Sequence, residues 1–453
     1  MNNTRELGER PIGALLAKYS IPAVIAMLVN AIYNVVDRIF IGQYAGEAAL
    51  AGLTIVFPVM MITFAFSSLI GAGGASLLAI KLGEKNEREA NHVFGNTLSL
   101  GFIVTGTMVL ILMANLNGAL SIFGATPEII HYANVYLKII LMGTVFQMMG
   151  FVLNSTLRTE GKPILSMVSM IAAAVTNIIL DYLFIGIFDM GVAGAAYATI
   201  AGQFVGLGIL LSYYLRRKSI LHPRGKDFIP EINIFIQIIT IGFATFVSTV
   251  GTSVAMTFIN RSLSVYGGLA AVTSLGAINS LFTFFIMPIM GITQGMQPII
   301  GYNYGARQLD RSISTLKYGL MIGIVFSTVI FSLLELFPRQ FVGLFLENGS
   351  ATVDVAVNGL RIFIAMLPLL SINLMGVAYF QSTANGKVSM VLGMLRQFIF
   401  LLPLVLILPN YFGLNGVWMA APIADGLAIA ITGMMLLRDV KIKQSVQPIL
   451  SEA

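Results

Sequence analysis

Three polar residues share one face of the first long apolar segment. Asn30, Asn34 and Asp37 are spaced four and three residues apart, so their side chains lie on successive turns of one helix face. A carboxylate within an apolar helix can bind a cation or carry a proton, which makes Asp37 a candidate coupling group. The alternative is a structural ion pair between Asp37 and the adjacent Arg38.

A second acid, Asp181, lies in the apolar segment TNIILDYLFI, one helical turn after Asn177 and on the same face. These two residues favour an ion or proton site, and the alternative is a hydrogen-bonding network between helices. Thr199 and Gln203 form another polar pair, one turn apart and flanked by glycines. That pair suits either a site or close helix packing.

Ionisable residues also lie within apolar segments of the second half. Arg396 and Asp425 each lie near the middle of a segment, where they either pair with one another or line a cavity. Glu335 lies at the end of a segment, where its side chain can reach the membrane surface, so a site role for it is not favoured.

The composition excludes several classes of protein. Of the 453 residues, 57% are hydrophobic and 10% are charged, and the mean hydropathy is +0.88. Soluble proteins carry about 25% charged residues, so a soluble enzyme, a disordered chain and a nucleic-acid-binding protein are excluded. The chain has no cysteine, and its three histidines are far apart with no metal-binding spacing. No cofactor is therefore expected.

Twelve apolar stretches must position these polar groups. Each is long enough to cross a bilayer as a helix, and none shows the alternation of barrel strands, which predicts an all-α integral membrane protein. The predicted spans are 13–43, 53–80, 93–114, 132–155, 164–187, 191–215, 233–262, 272–299, 314–336, 355–382, 389–408 and 413–437.

Lys and Arg residues predict the orientation of these spans. With both termini in the cytoplasm, the inside segments and adjoining span ends hold 20 of the 26 basic residues. The outside loops proper hold only Arg339. This bias follows the positive-inside rule and predicts a multi-pass protein of the cell membrane. The basic stretch 216–230, RRKSILHPRGKDFIP, is then cytoplasmic.

The two halves of the chain repeat one another. The matching anchors, at offsets of 222 to 225 residues, are Gly83 with Gly305, Gly161 with Gly386, Gly191 with Gly413, and Asn30, Asn34 and Asp37 with Ser253, Thr257 and Asn260. Each half has six spans, so both halves enter the membrane in the same orientation. The sequence therefore predicts two six-helix bundles, 1–215 and 231–453, joined by a linker at 216–230 and related by a pseudo-two-fold axis along the membrane normal.

The repeat also indicates that the shared architecture does not require the two acids of the first half. The second half has Asn260 where the first has Asp37, and it has no acid near 403–406, opposite Asp181. Charge at these positions is therefore not needed for folding, which favours a coupling role in the first half. Pro22 interrupts the backbone hydrogen bonds of the first span, where it forms either a fixed kink or a hinge.

Together these motifs resemble the multidrug and toxic compound extrusion (MATE) family, and most closely its bacterial DinF-like and MepA-like branch. The resemblance covers nearly the whole chain. It rests on YNVVDRIFIGQYAGEAALAGL in the first span, on the NxxxD pair at Asn177 and Asp181, on GVAGAAYAT ending at Thr199, and on the repeated Gly-Lys turns.

The resemblance implies a function and a site. It implies export of cationic amphiphilic molecules driven by entry of H⁺ or Na⁺, and a coupling site formed by Asp37, Asn177, Asp181 and Thr199. It also implies that Pro22 bends the first helix. The family's other pattern places acids in the seventh and tenth helices, which implies a sodium site in the C-terminal half, and the predicted spans here contain no such acids. Further candidates for lining a cavity are Asn30, Asn34, Gln203, Asn260, Arg396 and Asp425.

Three other functions compete with the antiporter. A lipid-linked oligosaccharide flippase of the same wider superfamily would favour a basic cavity for a pyrophosphate, whereas the clearest intramembrane pair here is acidic. A membrane enzyme would need metal ligands or clustered acids at one membrane face, and a channel would not need a two-bundle repeat. We expect a monomer in the lipid bilayer, with no nucleic-acid partner.

Overall fold

The computed structural model describes residues 5–45, 47–123, 129–346 and 351–451. Within these ranges all regular structure is helical, and we number the spanning helices α1 to α12 in chain order. Their bounds are α1 Ile12–Phe40, α2 Glu47–Gly83, α3 Glu87–Ala114, α4 Ile130–Thr159, α5 Pro163–Asp181, α6 Gly191–Leu215, α7 232–267, α8 269–305, α9 Leu309–Leu336, α10 Ala351–Phe363 with Leu370–Ser382, α11 Gly386–Met394 with Leu402–Ile407, and α12 414–451, which follows a break at Gly413.

Breaks in the helices account for the number of spans. Helices α7 and α8 form one run, Ile232–Gly305, that is broken at Gly268, where φ is 62°. Helix α10 bends by 40° after Phe363. Ten helices of the described chain are long and apolar enough to cross a membrane, or eleven with bent α10, and the break at Gly268 makes twelve. The predicted all-α fold with twelve spans is confirmed.

Short π-helical segments lie beside the polar groups of three spans. They extend α1 over Ile41–Ala45, extend α5 over Tyr182–Ile187, and join the two parts of α11 over Leu395–Leu401. A π-helical turn widens the helix by one residue and is frequent at functional sites. The first two follow Asp37 and Asp181 closely in the chain.

The turns between spans repeat in the two halves. Left-handed residues recur at offsets of 222 or 223 residues: Lys85 with Arg307, Gly161 with Ala384, and Gly191 with Gly413. The last pair is the anchor predicted from the sequence. The predicted match of Gly161 with Gly386 is wrong by two residues, because Ala384 takes the left-handed turn and Gly386 begins α11.

The two bundles meet at one end, which we call the basic end because it carries the turns at 84–86, 160–162, 306–308 and 383–385 and the segment 216–230. Glycines bring the helix backbones together there. A Cβ atom on Gly73 of α2 would lie 2.1 Å from the carbonyl oxygen of Ile238 in α7. A Cβ atom on Gly295 of α8 would lie 2.8 Å from the Cα atom of Ser20 in α1.

The apolar core is divided in a way that matches this contact. The largest buried cluster contains residues of both halves, from Leu7 to Leu436. Each of the other two clusters belongs to a single half, one between Ile41 and Ala196 and one between Ala255 and Ala424. The bundles therefore share one core at the basic end and have separate cores toward the opposite end.

The linker 216–230 packs against the first bundle. His92 of α3 contacts two carboxylates, with its Nδ1 atom 3.1 Å from Asp227 and its Nε2 atom 3.0 Å from Glu231. The Asn96 side chain donates a hydrogen bond to the carbonyl oxygen of Asp227 and accepts one from the backbone N–H of Glu231. Asp227 and Ser219 are buried. The predicted linker therefore docks on the first bundle through these buried residues.

Candidate ion-coupling site

The polar face predicted for α1 is present in the structure. The Asn34 side chain donates hydrogen bonds to the backbone oxygen of Asn30 at 2.7 Å and to its Oδ1 atom at 3.2 Å. Asp37 follows one turn later and is partly buried. The side chain of Arg38, the alternative partner of Asp37 in the sequence analysis, lies outside what the structure describes.

Asp181 lies opposite this face. It is 0% exposed, and neither of its carboxylate oxygens receives a hydrogen bond from an N–H or O–H donor in the described part of the chain. The carboxyl group of Asp37 is close enough to share a proton with it. Two adjacent carboxylates repel each other when both are ionised, so this pair favours a bound proton or cation between them.

Asn177 and Thr199 complete the predicted set. The Asn177 Nδ2 atom lies 3.5 Å from the Thr199 Oγ1 atom, across the contact between α5 and α6. Gly202 permits this approach, since a Cβ atom there would lie 2.6 Å from the Ala173 carbonyl oxygen. The Asn177 Oδ1 atom is buried and has no hydrogen-bond partner in the described chain. An unused buried oxygen is available as a ligand.

Two tyrosines belong to this cluster and were missed in the sequence analysis. Tyr136 of α4 is buried, its hydroxyl group lies within hydrogen-bonding reach of Thr199, and it is close to both acids. Tyr33 of α1 is also close to both. The spacing of Tyr33 and Asp37 at i and i+4 was a signal for Tyr33, whereas nothing in the sequence around Tyr136 indicated its role.

The donor set suits either of two coupling ions. Two carboxyl groups, an amide oxygen and a hydroxyl group are hard oxygen ligands, which Na⁺ prefers, and adjacent carboxyl groups can also hold a proton. The residues that would hold either ion are Asp37, Asn177, Asp181 and Thr199. The described residues contain no cluster of three His, Cys, Asp or Glu side chains that could hold a metal ion.

The remaining predicted residues lie apart from this cluster or at its edge. Gln203 is partly buried one turn beyond Thr199, and Asn260 is exposed on α7. Pro22 lies inside α1, which stays helical on both sides of it and contacts α8 at Ser20 and Val24.

Charged residues of the second bundle form pairs. Arg396 contacts Asp425, as one of the two interpretations predicted. Glu335 pairs with Arg361 at 3.1 Å, at the end of its span. The tenth span begins earlier than predicted and includes Asp354, but that acid is exposed and paired with Arg339 at 2.6 Å. It therefore supplies no buried acid.

Comparison with known proteins identifies the family. The MatE family model matches residues 22–183 and 233–407, one segment in each half of the chain. The chain belongs to the MatE family. Multidrug export protein MepA of Staphylococcus saprophyticus is a MATE relative that is 27% identical over 424 residues, which are 93% of each chain.

Solved MATE structures share the whole fold. The multidrug transporter DinF-BH, solved as a ligand complex, is 40% identical, with a TM-score of 0.89 over 95% of this chain and 97% of its own. An outward-facing multidrug resistance MATE transporter has a TM-score of 0.92 at 25% identity, over 98% of this chain and 99% of its own. The resemblance to the DinF-like and MepA-like branch is confirmed, and this MATE chain is a multi-pass protein of the cell membrane.

Proposed function

We propose that this MATE protein exports drug-like organic cations in exchange for H⁺ or Na⁺. One observation carries the proposal: Asp181 is fully buried beside Asp37, and its oxygens receive no hydrogen bond from an N–H or O–H donor in the described chain. A bound proton or cation would stabilise such a site. Relatives named for multidrug export support the choice of cargo.

The two acids provide the coupling. With no ion bound, their negative charge attracts an organic cation. A proton or Na⁺ entering the site neutralises that charge and removes the attraction, so the cargo leaves. Counted at ~1.5 Å per residue, Asp37 lies about 37 Å from the start of α1 and Asp181 about 27 Å from the start of α5. Both acids are therefore near the end opposite the basic end, where an external ion has a short path to them.

Alternating access requires the bundles to part at one end at a time. We propose that residues 1–215 and 231–453 move as two bodies about the linker 216–230, as a monomer with both termini in the cytoplasm. With this orientation the shared core lies on the cytoplasmic side, which supports an outward-facing state. Pro22 lies between the contacts of Ser20 and Val24 with α8, where bending of α1 would change those contacts.

The flippase alternative is less well supported. A lipid-linked pyrophosphate requires basic groups in the cavity. The first bundle instead has two adjacent acids, and Arg396, the basic group at mid-span in the second bundle, is neutralised by Asp425. A substrate with several negative charges would be repelled by the first bundle.

Efflux of a cationic dye tests the proposal. Cells that produce this protein are loaded with ethidium, and the proton and sodium gradients are collapsed in separate experiments. We expect efflux above that of cells without the protein, and its loss when one gradient is collapsed. The gradient that stops efflux identifies the coupling ion. Absence of efflux from cells with verified membrane-inserted protein would disprove the proposal.

A further inference from the structure

Arg396 and Asp425 form an ion pair inside the second bundle. The Arg396 Nε atom donates a hydrogen bond to the Asp425 Oδ1 atom at 2.5 Å. The Asp425 side chain is 9% exposed and that of Arg396 is 22% exposed. The bond uses only the Nε atom of the guanidinium, so both Nη groups and the Asp425 Oδ2 atom have no hydrogen-bond partner among the described residues.

Counted along the helix, Arg396 lies near the middle of its span. Arg396 follows the start of α11 by ten residues, which is about 15 Å of helix. This distance is half of the ~30 Å hydrocarbon core. A guanidinium at this depth avoids lipid and faces protein or a water-filled cavity. A fifth of the Arg396 side chain is still exposed, so its protein neighbours do not seal it off.

The first bundle has no equivalent pair. The repeat offsets of 222 and 223 place Arg396 opposite Ala173 or Ala174, and Asp425 opposite Gly202 or Gln203. In the first bundle, α5 and α6 cross in close contact at this position, because Gly202 packs against the Ala173 carbonyl oxygen. In the second bundle two charged side chains occupy the crossing, and the π-helical segment Leu395–Leu401 widens α11 at the same level.

A neighbouring side chain adds another unused polar atom. Gln397 donates a hydrogen bond from Nε2 to the Thr252 hydroxyl group of α7 at 2.8 Å. Its Oε1 atom is buried and has no partner in the part of the chain that the structure describes. One turn of α11 thus carries free donors on Arg396 and a free acceptor on Gln397, beside the free Oδ2 acceptor of Asp425.

We propose that Arg396 and Asp425 form a second cargo contact that binds organic zwitterions carrying a carboxylate and an ammonium group. The cargo carboxylate accepts hydrogen bonds from the Arg396 Nη groups, which form the planar fork that matches a carboxylate. The cargo ammonium group donates to the Asp425 Oδ2 atom. The proposal rests on the export function above and gives this ion pair of the second bundle a role in recognising zwitterionic cargo.

The charges of the ion pair explain why it would bind zwitterions in preference to simple cations. The ion pair has no net charge, so a simple organic cation gains little there because Arg396 offsets the attraction of Asp425. A zwitterion satisfies both partners at once without leaving a buried charge uncompensated. Contacts with cationic cargo are then concentrated in the first bundle, whereas zwitterionic cargo uses both bundles.

Comparison of two probes tests the inference. Export of ethidium, a cation, and of norfloxacin, a zwitterion, is measured in the same cells for the wild type and for Arg396→Gln. We expect the ratio of norfloxacin to ethidium export to fall at least ~10-fold in Arg396→Gln. A change of this size corresponds to the loss of about one charged hydrogen bond. Arg396→Lys keeps the charge but not the fork, and we expect an intermediate ratio. Arg361→Gln, which breaks the exposed pair with Glu335, is the matched control and should leave the ratio unchanged.

The outcomes separate the two proposals. If the wild type exports ethidium but not norfloxacin, or if Arg396→Gln lowers both rates equally, the zwitterion site is wrong and the export function stands. Equal loss would mean that the pair only supports the fold. If the wild type exports neither probe, the export function fails and the inference fails with it.

Discussion

Gly83 and Gly305 occupy equivalent positions in the two halves, and each packs against the other's helix. A Cβ atom on Gly83 would lie 2.0 Å from the carbonyl oxygen of Tyr302, and one on Gly305 would lie 2.1 Å from that of Ile80. Helices α2 and α8 therefore cross with their backbones in contact at the basic end. No side chain larger than hydrogen fits at either position while the crossing is closed.

Gly83→Ala should shift the protein away from this closed crossing. Overpacking costs about 1–3 kcal/mol, which changes a two-state ratio by roughly 5- to 150-fold. Ala79 is buried at the same crossing, and the chain contains no native cysteine. We expect Ala79→Cys to react faster with a thiol reagent in the Gly83→Ala background, and export to slow.

Gly208→Ala is the control for that experiment, because a Cβ atom at Gly208 meets nothing within 4 Å. It should change neither labelling nor export. Equal labelling of Ala79→Cys in the Gly83→Ala and Gly208→Ala backgrounds would show that the crossing does not hold the basic end closed.

Neutralising either acid of the coupling site should abolish export. Asp37→Asn and Asp181→Asn keep the size of the side chain and remove its charge, so a proton or Na⁺ no longer changes the charge of that residue. We expect dye efflux at the level of cells without the protein, with unchanged amounts in the membrane. Asn260→Ala, at the repeat-equivalent position of Asp37, should have a mild effect. Full efflux by either Asp→Asn variant would refute the assignment.

The membrane potential should assist export if two protons enter for each monovalent cation. Such an exchange moves one net charge, worth ~2.3 kcal/mol per 100 mV, whereas a one-for-one exchange moves none. The adjacent acids favour two protons. In proteoliposomes with a fixed pH gradient, a potential that is negative on the side receiving protons should speed export. Insensitivity to the potential would indicate one-for-one exchange.

Glu160 should make stability depend on pH. It is 1% exposed, and its Oε2 atom accepts hydrogen bonds from the Ser219 hydroxyl group at 2.8 Å and from the Ile220 N–H at 3.2 Å. Burial raises its pKa above the ordinary value, and these hydrogen bonds oppose that shift. The folded protein therefore holds this proton more tightly than the unfolded chain does.

The stability contributed by that proton is complete below the unfolded pKa of about 4.3 and is lost as the pH rises through the folded pKa. Glu160→Gln has no such proton to lose. We expect the Tm of the wild type, relative to Glu160→Gln, to fall as the pH rises above about 4.3. Parallel Tm curves for the two proteins would contradict this.

The orientation can be tested with a thiol in the linker. Ser219 is buried and bonded to Glu160, so Lys226, which is exposed, is the better position. A Lys226→Cys variant should react with a membrane-impermeant reagent in inverted vesicles and not in intact cells. Labelling in intact cells would show that the topology is the reverse of the one proposed.

Much of the fold could be predicted from the sequence because apolar length and repeated turns are local signals. Those signals gave twelve spans and the match of Gly191 with Gly413. The faces shared by Asn30, Asn34 and Asp37, and by Asn177 and Asp181, also depend only on helical periodicity. A bilayer makes charged residues in the spans conspicuous, which is why the pairing of Arg396 with Asp425 was one of the two interpretations considered.

Contacts between distant helices could not be predicted in this way. Tyr136 joins the acids only because α4 packs against α6 there. Gly83 and Gly305 were noted as anchors of the repeat, but the sequence did not indicate that their helices touch. The burial of Ser219 depends on Glu160, 59 residues earlier in the chain.

The docking of the linker also affects how the protein is made. The side chains that hold segment 216–230, including His92, Asn96 and Glu160, all precede it in the chain. When the ribosome synthesises α7, the helices that bind the linker have already been synthesised. The first half can therefore complete its part of the basic end and fix the entry point of α7 before the second half is translated.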